Sequence, residues 1–148
     1  MVTYAGTDPA DPELCSMAVN GKVGGYLFGR IDRSTPSAAD IAAAYRKVLS
    51  GPPGTAVEFR FVRNDGTNYM YRYKNEALET FQIGGEARPT VRIAFTESGM
   101  GGNHFEGTWR RWFDVQTGAV LRQSYQHVSG QPPSNQDWKA TSITVPKS

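Results

Sequence analysis

A chain of 148 residues with 39% hydrophobic and 20% charged residues has the size and balance of one soluble globular domain. Its net charge of +2 is too small to imply a polyanionic partner, and a single cysteine, Cys15, excludes an intrachain disulfide and any multi-cysteine metal site. No run approaches the ~18–20 apolar residues of a membrane span, and the start MVTYAGTDPADPELCS lacks the basic head and apolar run of a secretory leader. A soluble protein is expected, with the cytoplasm as the favoured compartment.

In chain order, residues 1–16 carry prolines and acids without periodicity and read as an extended N-terminal arm suited to reaching a neighbouring subunit. Residues 17–148 read as a single β-rich domain. It opens with a strand over 18–31, whose glycines at 21, 24, 25 and 29 suggest bulges or sharp bends. One helix is expected over residues 36–50. Ile41, Tyr45, Val48 and Leu49 define its apolar stripe, Thr35 or Ser37 can cap it, Asp40 suits its positive end, and Gly51-Pro52-Pro53 stops it.

Strands follow over 56–63, 68–74, 77–83 and 89–96, separated by Asn64-Asp65-Gly66 and Gly84-Gly85, and then comes a glycine-rich loop, GMGGN, from Gly99. Residues 104–128, HFEGTWRRWFDVQTGAVLRQSYQHV, read as a long hairpin turning at Gln116-Thr117-Gly118, with Gly118 left-handed. That turn sets Phe113 against Leu121, Arg111 against Gln123, Trp109 against Tyr125 and Gly107 against His127 on a buried face. The opposite face, with Glu106, Thr108, Arg110, Trp112, Asp114 and Arg122, is expected to be wet, with Trp112 close enough to Arg122 for a cation–π contact. A loose segment, SGQPPSNQD, and a short strand over 138–145 complete the chain.

About eight short strands and one helix give a mainly β fold, or α+β with a dominant sheet: an antiparallel curved sheet, sandwich or partly closed barrel with the helix covering one side. There are too few helices for a doubly wound α/β fold.

Two faces could carry function. Alternation places Arg60, Arg72, Arg92, Arg110 and Arg122 opposite the apolar series of their strands. With Lys74 and Trp112 they form a basic face, offset by Glu58, Glu106 and Asp114, which suits protein contact, a phosphate backbone, or simple solvation. The inner face offers Trp109, Arg111, Gln123, Tyr125 and His127 as convergent polar groups in an apolar wall, as in a carrier of a small apolar ligand. Arg111 there needs a partner or the rim, because an unpaired buried charge is costly.

Enzyme chemistry has no anchor. His104 and His127 could build a proton-transfer site with Glu106 or Glu97, yet no metal-ligand spacing, nucleophile elbow or phosphate loop occurs. No metal or cofactor is implied.

Residues 28–51, FGRIDRSTPSAADIAAAYRKVLSG, resemble the segment of phage tail-tube and related secretion-tube proteins in which a strand ends in an acid-basic-Ser-Thr-Pro run before a helix. The downstream strands over 57–95 are compatible with that pattern, so the resemblance spans about half the chain. The part before Gly21 is shorter than in such tubes, and the Trp-rich hairpin has no counterpart there. What the resemblance implies is ring assembly rather than catalysis; it does not assign membership.

The expected function is therefore non-enzymatic: self-assembly or partner binding through the Arg/Trp face, the glycine-rich loop and the arm, in the manner of a tube or virion component. A small-ligand carrier using the inner face is the alternative. Single-stranded nucleic-acid binding comes third, and an enzyme last.

Overall fold

The computed structural model describes the backbone of residues 2–8, 11–19, 22–27, 31–32, 37–63, 65–102, 104–133 and 137–142, and side chains from residue 37 onward. The chain divides into two compact units, residues 1–43 with 62–67 and residues 44–61 with 68–148.

In the first unit, β1 (Val2–Asp8), β2 (Asp11–Val19), β3 (Lys22–Leu27) and β4 (Ile31–Asp32) form a four-stranded antiparallel sheet in that order. Residues 2–8 and 11–16 are extended and paired within this sheet: Val2 lies opposite Val19 and Leu14 opposite Leu27. The single strand expected over 18–31 is replaced by the end of β2, the whole of β3 and the first residue of β4. Cys15, the arm's side chains, Thr35 and Pro36 lie outside the described side chains.

Helix α1 (Ala38–Ser50) starts two residues later than expected. The Ser37 carbonyl accepts the first helical bond from Ile41 N–H at 3.0 Å, and its hydroxyl accepts from Val62 N–H at 2.9 Å. Ala38, Ile41, Ala42, Tyr45 and Val48 form the buried stripe, whereas Leu49 is only half-buried. The 63–67 turn closes through Arg63 N–H to Thr67 carbonyl at 2.9 Å and Thr67 N–H to the Asp65 carboxylate at 2.8 Å. That backbone bond and the Thr67 hydroxyl hold the Asp65 carboxyl below its usual value.

The second unit is a six-stranded antiparallel sheet, in the order β10-β9-β8-β7-β6-β5: β5 (Ala56–Val62), β6 (Asn68–Ile83), β7 (Glu86–Gly99), β8 (Glu106–Asp114), β9 (Val120–Ser129) and β10 (Trp138–Lys139). The mainly β, antiparallel reading holds; the sheet is open, not closed into a barrel. The strands expected over 68–74 and 77–83 are one, β6, interrupted by a bulge between Asn75 and Ala77. Gly84 and Gly85, with φ of 56° and 84°, supply the two left-handed residues of the tight β6–β7 turn. Of the strand expected over 138–145 only Trp138–Lys139 is strand; residues 143–148 lie outside the described residues.

One ring per strand crosses the inner face. Phe59 lies 5.6 Å from Tyr73, Tyr73 is 5.0 Å from Phe95, Phe95 is 5.2 Å from Trp109, and Trp109 is 4.6 Å from Tyr125. Period-two alternation and cross-strand pairing put them in one row, and such ring pairs add ~0.5–1.5 kcal/mol each beyond their burial. Tyr45 of α1 packs on this row, 4.6 Å from Tyr73 and 5.7 Å from Phe113. At the helix end, the buried Asn75 amide donates to the Val48 and Gly51 carbonyls at 3.1 and 3.0 Å, satisfying acceptors that a helix terminus leaves open.

Candidate functional site

The β8–β9 hairpin has the expected register over most of its length. Gly107 opposes His127, Trp109 opposes Tyr125, Arg111 opposes Gln123 and Trp112 opposes Arg122, and Gly118 is left-handed at φ 70°. Nearer the turn the register slips by one, so that Phe113 meets Val120 rather than Leu121. The slip leaves both Phe113 and Leu121 buried.

The two indoles face opposite ways. Trp109 stacks in the inner aromatic row, while Trp112 carries the Arg122 guanidinium 4.6 Å from its ring and donates from Nε1 to the Glu79 carboxylate at 2.6 Å. The expectation that the whole Trp112 face is wet is corrected: Trp112 and Asp114 are both buried. Their burial is supported by partners, since Asp114 accepts from Arg88 at 2.6 Å and from the Thr117 hydroxyl at 2.5 Å. Burial alone would raise the Asp114 carboxyl, but hydrogen bonds from Arg88, Thr117 and Gln116 outweigh it and hold the group below its usual value.

The outer face gathers the predicted arginines. Arg92, Trp112 and Arg122 form one cross-strand row, and Ala94, Arg110 and Ser124 the next. Arg72 stands in the row of Thr96 and Thr108. Arg60, Arg72, Arg92 and Arg110 have acidic or amide partners, whereas Arg122 lies over the Trp112 ring. Arg92 bonds Glu76 at 2.9 Å and also Glu79, and Arg110 bonds the same Glu76 at 3.0 Å and Gln126 at 3.2 Å. Arg72 lies 3.5 Å from Glu58, and Arg60 donates to Asn68 at 2.9 Å. The predicted basic face is therefore a face of alternating sign.

Glu76 and Glu79, which bond Arg92, Arg110 and Trp112 on this face, are residues that sequence reasoning missed. Uninterrupted alternation from Tyr69, Tyr71 and Tyr73 would carry Glu79 onto the apolar side. The inserted residue at Glu76 instead turns Glu79 and Phe81 outward, to pair with Thr90 and Arg88. That conflict between a strict period of two and a buried glutamate was the available signal.

On the inner face, the partners of Arg111 among the described residues are neutral. It donates to Gln123 at 2.9 Å and to the Tyr45 hydroxyl at 2.7 Å, and lies 5.5 Å from the Phe95 ring centre. Tyr125 reaches His127 Nδ1 at 3.1 Å, with its phenol lying where a side chain at Gly107 would stand. Burial, then the Glu97 charge, raises the Tyr125 phenol above its usual value. Glu97 is buried and accepts from the Tyr71 hydroxyl at 3.0 Å. His104 is exposed, and its carbonyl accepts from Ser129 at 2.7 Å. The five inner-face residues are thus brought together, engaged largely with one another and with α1.

Comparison with protein-family models, with curated proteins and with solved structures finds no match to this chain. Among the described residues, no helix is long and apolar enough to cross a membrane.

Proposed function

We propose that the protein works by contact rather than catalysis, and that the outer face of the six-stranded sheet docks a second copy of this chain. The observation that carries this reading is the shared-carboxylate network Arg92–Glu76–Arg110 with Glu79, Trp112 and Arg122. Two features suit it to assembly. Its long side chains are already held by mutual bonds, so burying them loses little further rotamer freedom. Its charges alternate in sign over short distances, so a copy related by a two-fold axis can set each acid against a base.

Arginine and tryptophan are also enriched in protein contacts. A phosphate backbone is less well served, because most of the face's guanidiniums already have carboxylate or aromatic partners. The test is light scattering across a concentration series, at low and high salt, with the double variant Arg72→Glu/Arg122→Glu. Both positions are exposed and lie outside the Arg92–Glu76–Arg110 bonds. A multimer that the double variant reduces to monomer is expected. A monomeric wild type at the highest concentration, or a variant that keeps the wild-type mass, overturns the reading.

A further inference from the structure

The outer face contains a depression of about 140 Å³, lined by Arg72, Lys74, Glu76, Ala94, Thr96, Thr108 and Arg110. Its origin lies in the sheet register: Lys74, Ala94 and Arg110 occupy one cross-strand row, and Arg72, Thr96 and Thr108 the row beside it. Ala94 is the short side chain between two long cations, so the floor drops where the neighbouring rows stand tall. Three cations line this hollow against one carboxylate. That carboxylate, Glu76, is already bonded to Arg92 and Arg110. Lys74 has no ion-pair partner among the described residues. The Thr96 and Thr108 hydroxyls lie 3.0 Å apart and bond each other, a pair that can turn to donate to an incoming anion.

We infer that this depression is a binding site for an oxyanion, a phosphate or carboxylate group, held by Lys74 and the two threonine hydroxyls, with Arg72 and Arg110, each already beside a carboxylate, adding positive charge to its lining. Charge-assisted bonds from lysine and arginine are the strong kind for such a ligand. A hollow of this size takes several waters and therefore a tetrahedral anion. The inference rests on the local geometry and not on self-assembly, and it is testable at dilutions where the chain is a monomer.

The experiment is a titration of ¹⁵N-labelled protein with inorganic phosphate and, separately, with acetate at constant ionic strength, read at the amides of Ala94, Thr96 and Thr108. Saturable shifts in the millimolar range are expected, and the tighter of the two anions identifies the source chemistry. Lys74→Met removes the unpaired charge at an exposed position. Ala94→Met keeps every charge and fills the hollow. Each is expected to weaken binding at least tenfold. Linear, unsaturated shifts with both anions overturn the inference, as does wild-type affinity in Lys74→Met. Ala94→Met adds a second check if its spectrum shows a folded protein: unchanged binding there excludes the hollow as the site.

Discussion

Asp114→Ala breaks the most buried ion pair described in the structure. The Asp114 side chain is fully buried and Arg88 is 10% exposed, and they meet at 2.6 Å. Removing one partner of a buried pair costs ~3–5 kcal/mol, because the other charge stays behind. Arg88 retains Glu86 at 3.7 Å, but that carboxylate is 69% exposed and compensates weakly. The lower end, about 3 kcal/mol, is expected, equivalent to roughly a hundredfold in the folding equilibrium. Arg88→Met on top of Asp114→Ala removes the stranded charge and should recover part of that loss. Urea unfolding followed by tryptophan fluorescence measures both, as a shift in midpoint at unchanged slope. The pH dependence gives an independent check with a definite sign. Because the folded Asp114 carboxyl titrates below its ordinary 3.8, its contribution is complete above that value and is lost as pH falls through the lower folded one. The stability gap between wild type and Asp114→Asn should therefore narrow in acid. A loss under about 1 kcal/mol, the scale of a surface pair, or a gap that stays constant in acid, would refute the argument.

Three further outcomes are expected. Tyr45→Phe removes the hydroxyl that accepts from Arg111 at 2.7 Å and should cost ~1–3 kcal/mol in the same unfolding assay. Gly107→Ala places a methyl group where the Tyr125 phenol lies, so the Tyr125–His127 bond at 3.1 Å should break, seen as a change in the His127 ring signals by NMR. Burial, reinforced by Tyr45, lifts the Tyr73 phenol well above 10.0, so its contribution is complete below that pH and is lost as pH rises toward the folded value. Tyr73→Phe should accordingly flatten the alkaline limb of stability against pH, and an unchanged limb would remove Tyr73 as its cause.

The hairpin register was legible because it depends on local rules: a glycine at the left-handed turn position and strict alternation away from it. Those rules set Trp109 against Tyr125 and Trp112 against Arg122, and both pairs hold. The helix was legible from its caps and its apolar stripe. What alternation could not supply was the place where it fails. The bulge after Asn75 is enforced at a distance, by the Asn75 amide reaching the Val48 and Gly51 carbonyls and by backbone bonds from Asn75 N–H to the Thr55 carbonyl and from Gly54 N–H to the Asn75 carbonyl. None of these bonds has a signature in the local pattern around residues 74–78. The burial of Trp112 was missed for the same reason: its cover includes Glu79, which the bulge delivers.

That single insertion decides what kind of surface the outer face is. Without it, Glu76 would still stand outside but Glu79 would face the aromatic row, leaving the Trp112 indole N–H and half of the Arg92 guanidinium without their partner. The face would then carry an excess of positive charge suited to a polyanion. With it, each of the two central arginines meets a carboxylate, Arg122 rests on the Trp112 ring, and Lys74, with no ion-pair partner among the described residues, stands beside the short side chain of Ala94. A face with most of its arginines beside carboxylates and one basic hollow suits the anion site inferred above better than it suits a long charged chain. The salt dependence of any association through it should be correspondingly shallow, since few counterions are released when paired charges are buried. A steep dependence, of the kind several newly neutralised phosphates would give, is the result this geometry forbids.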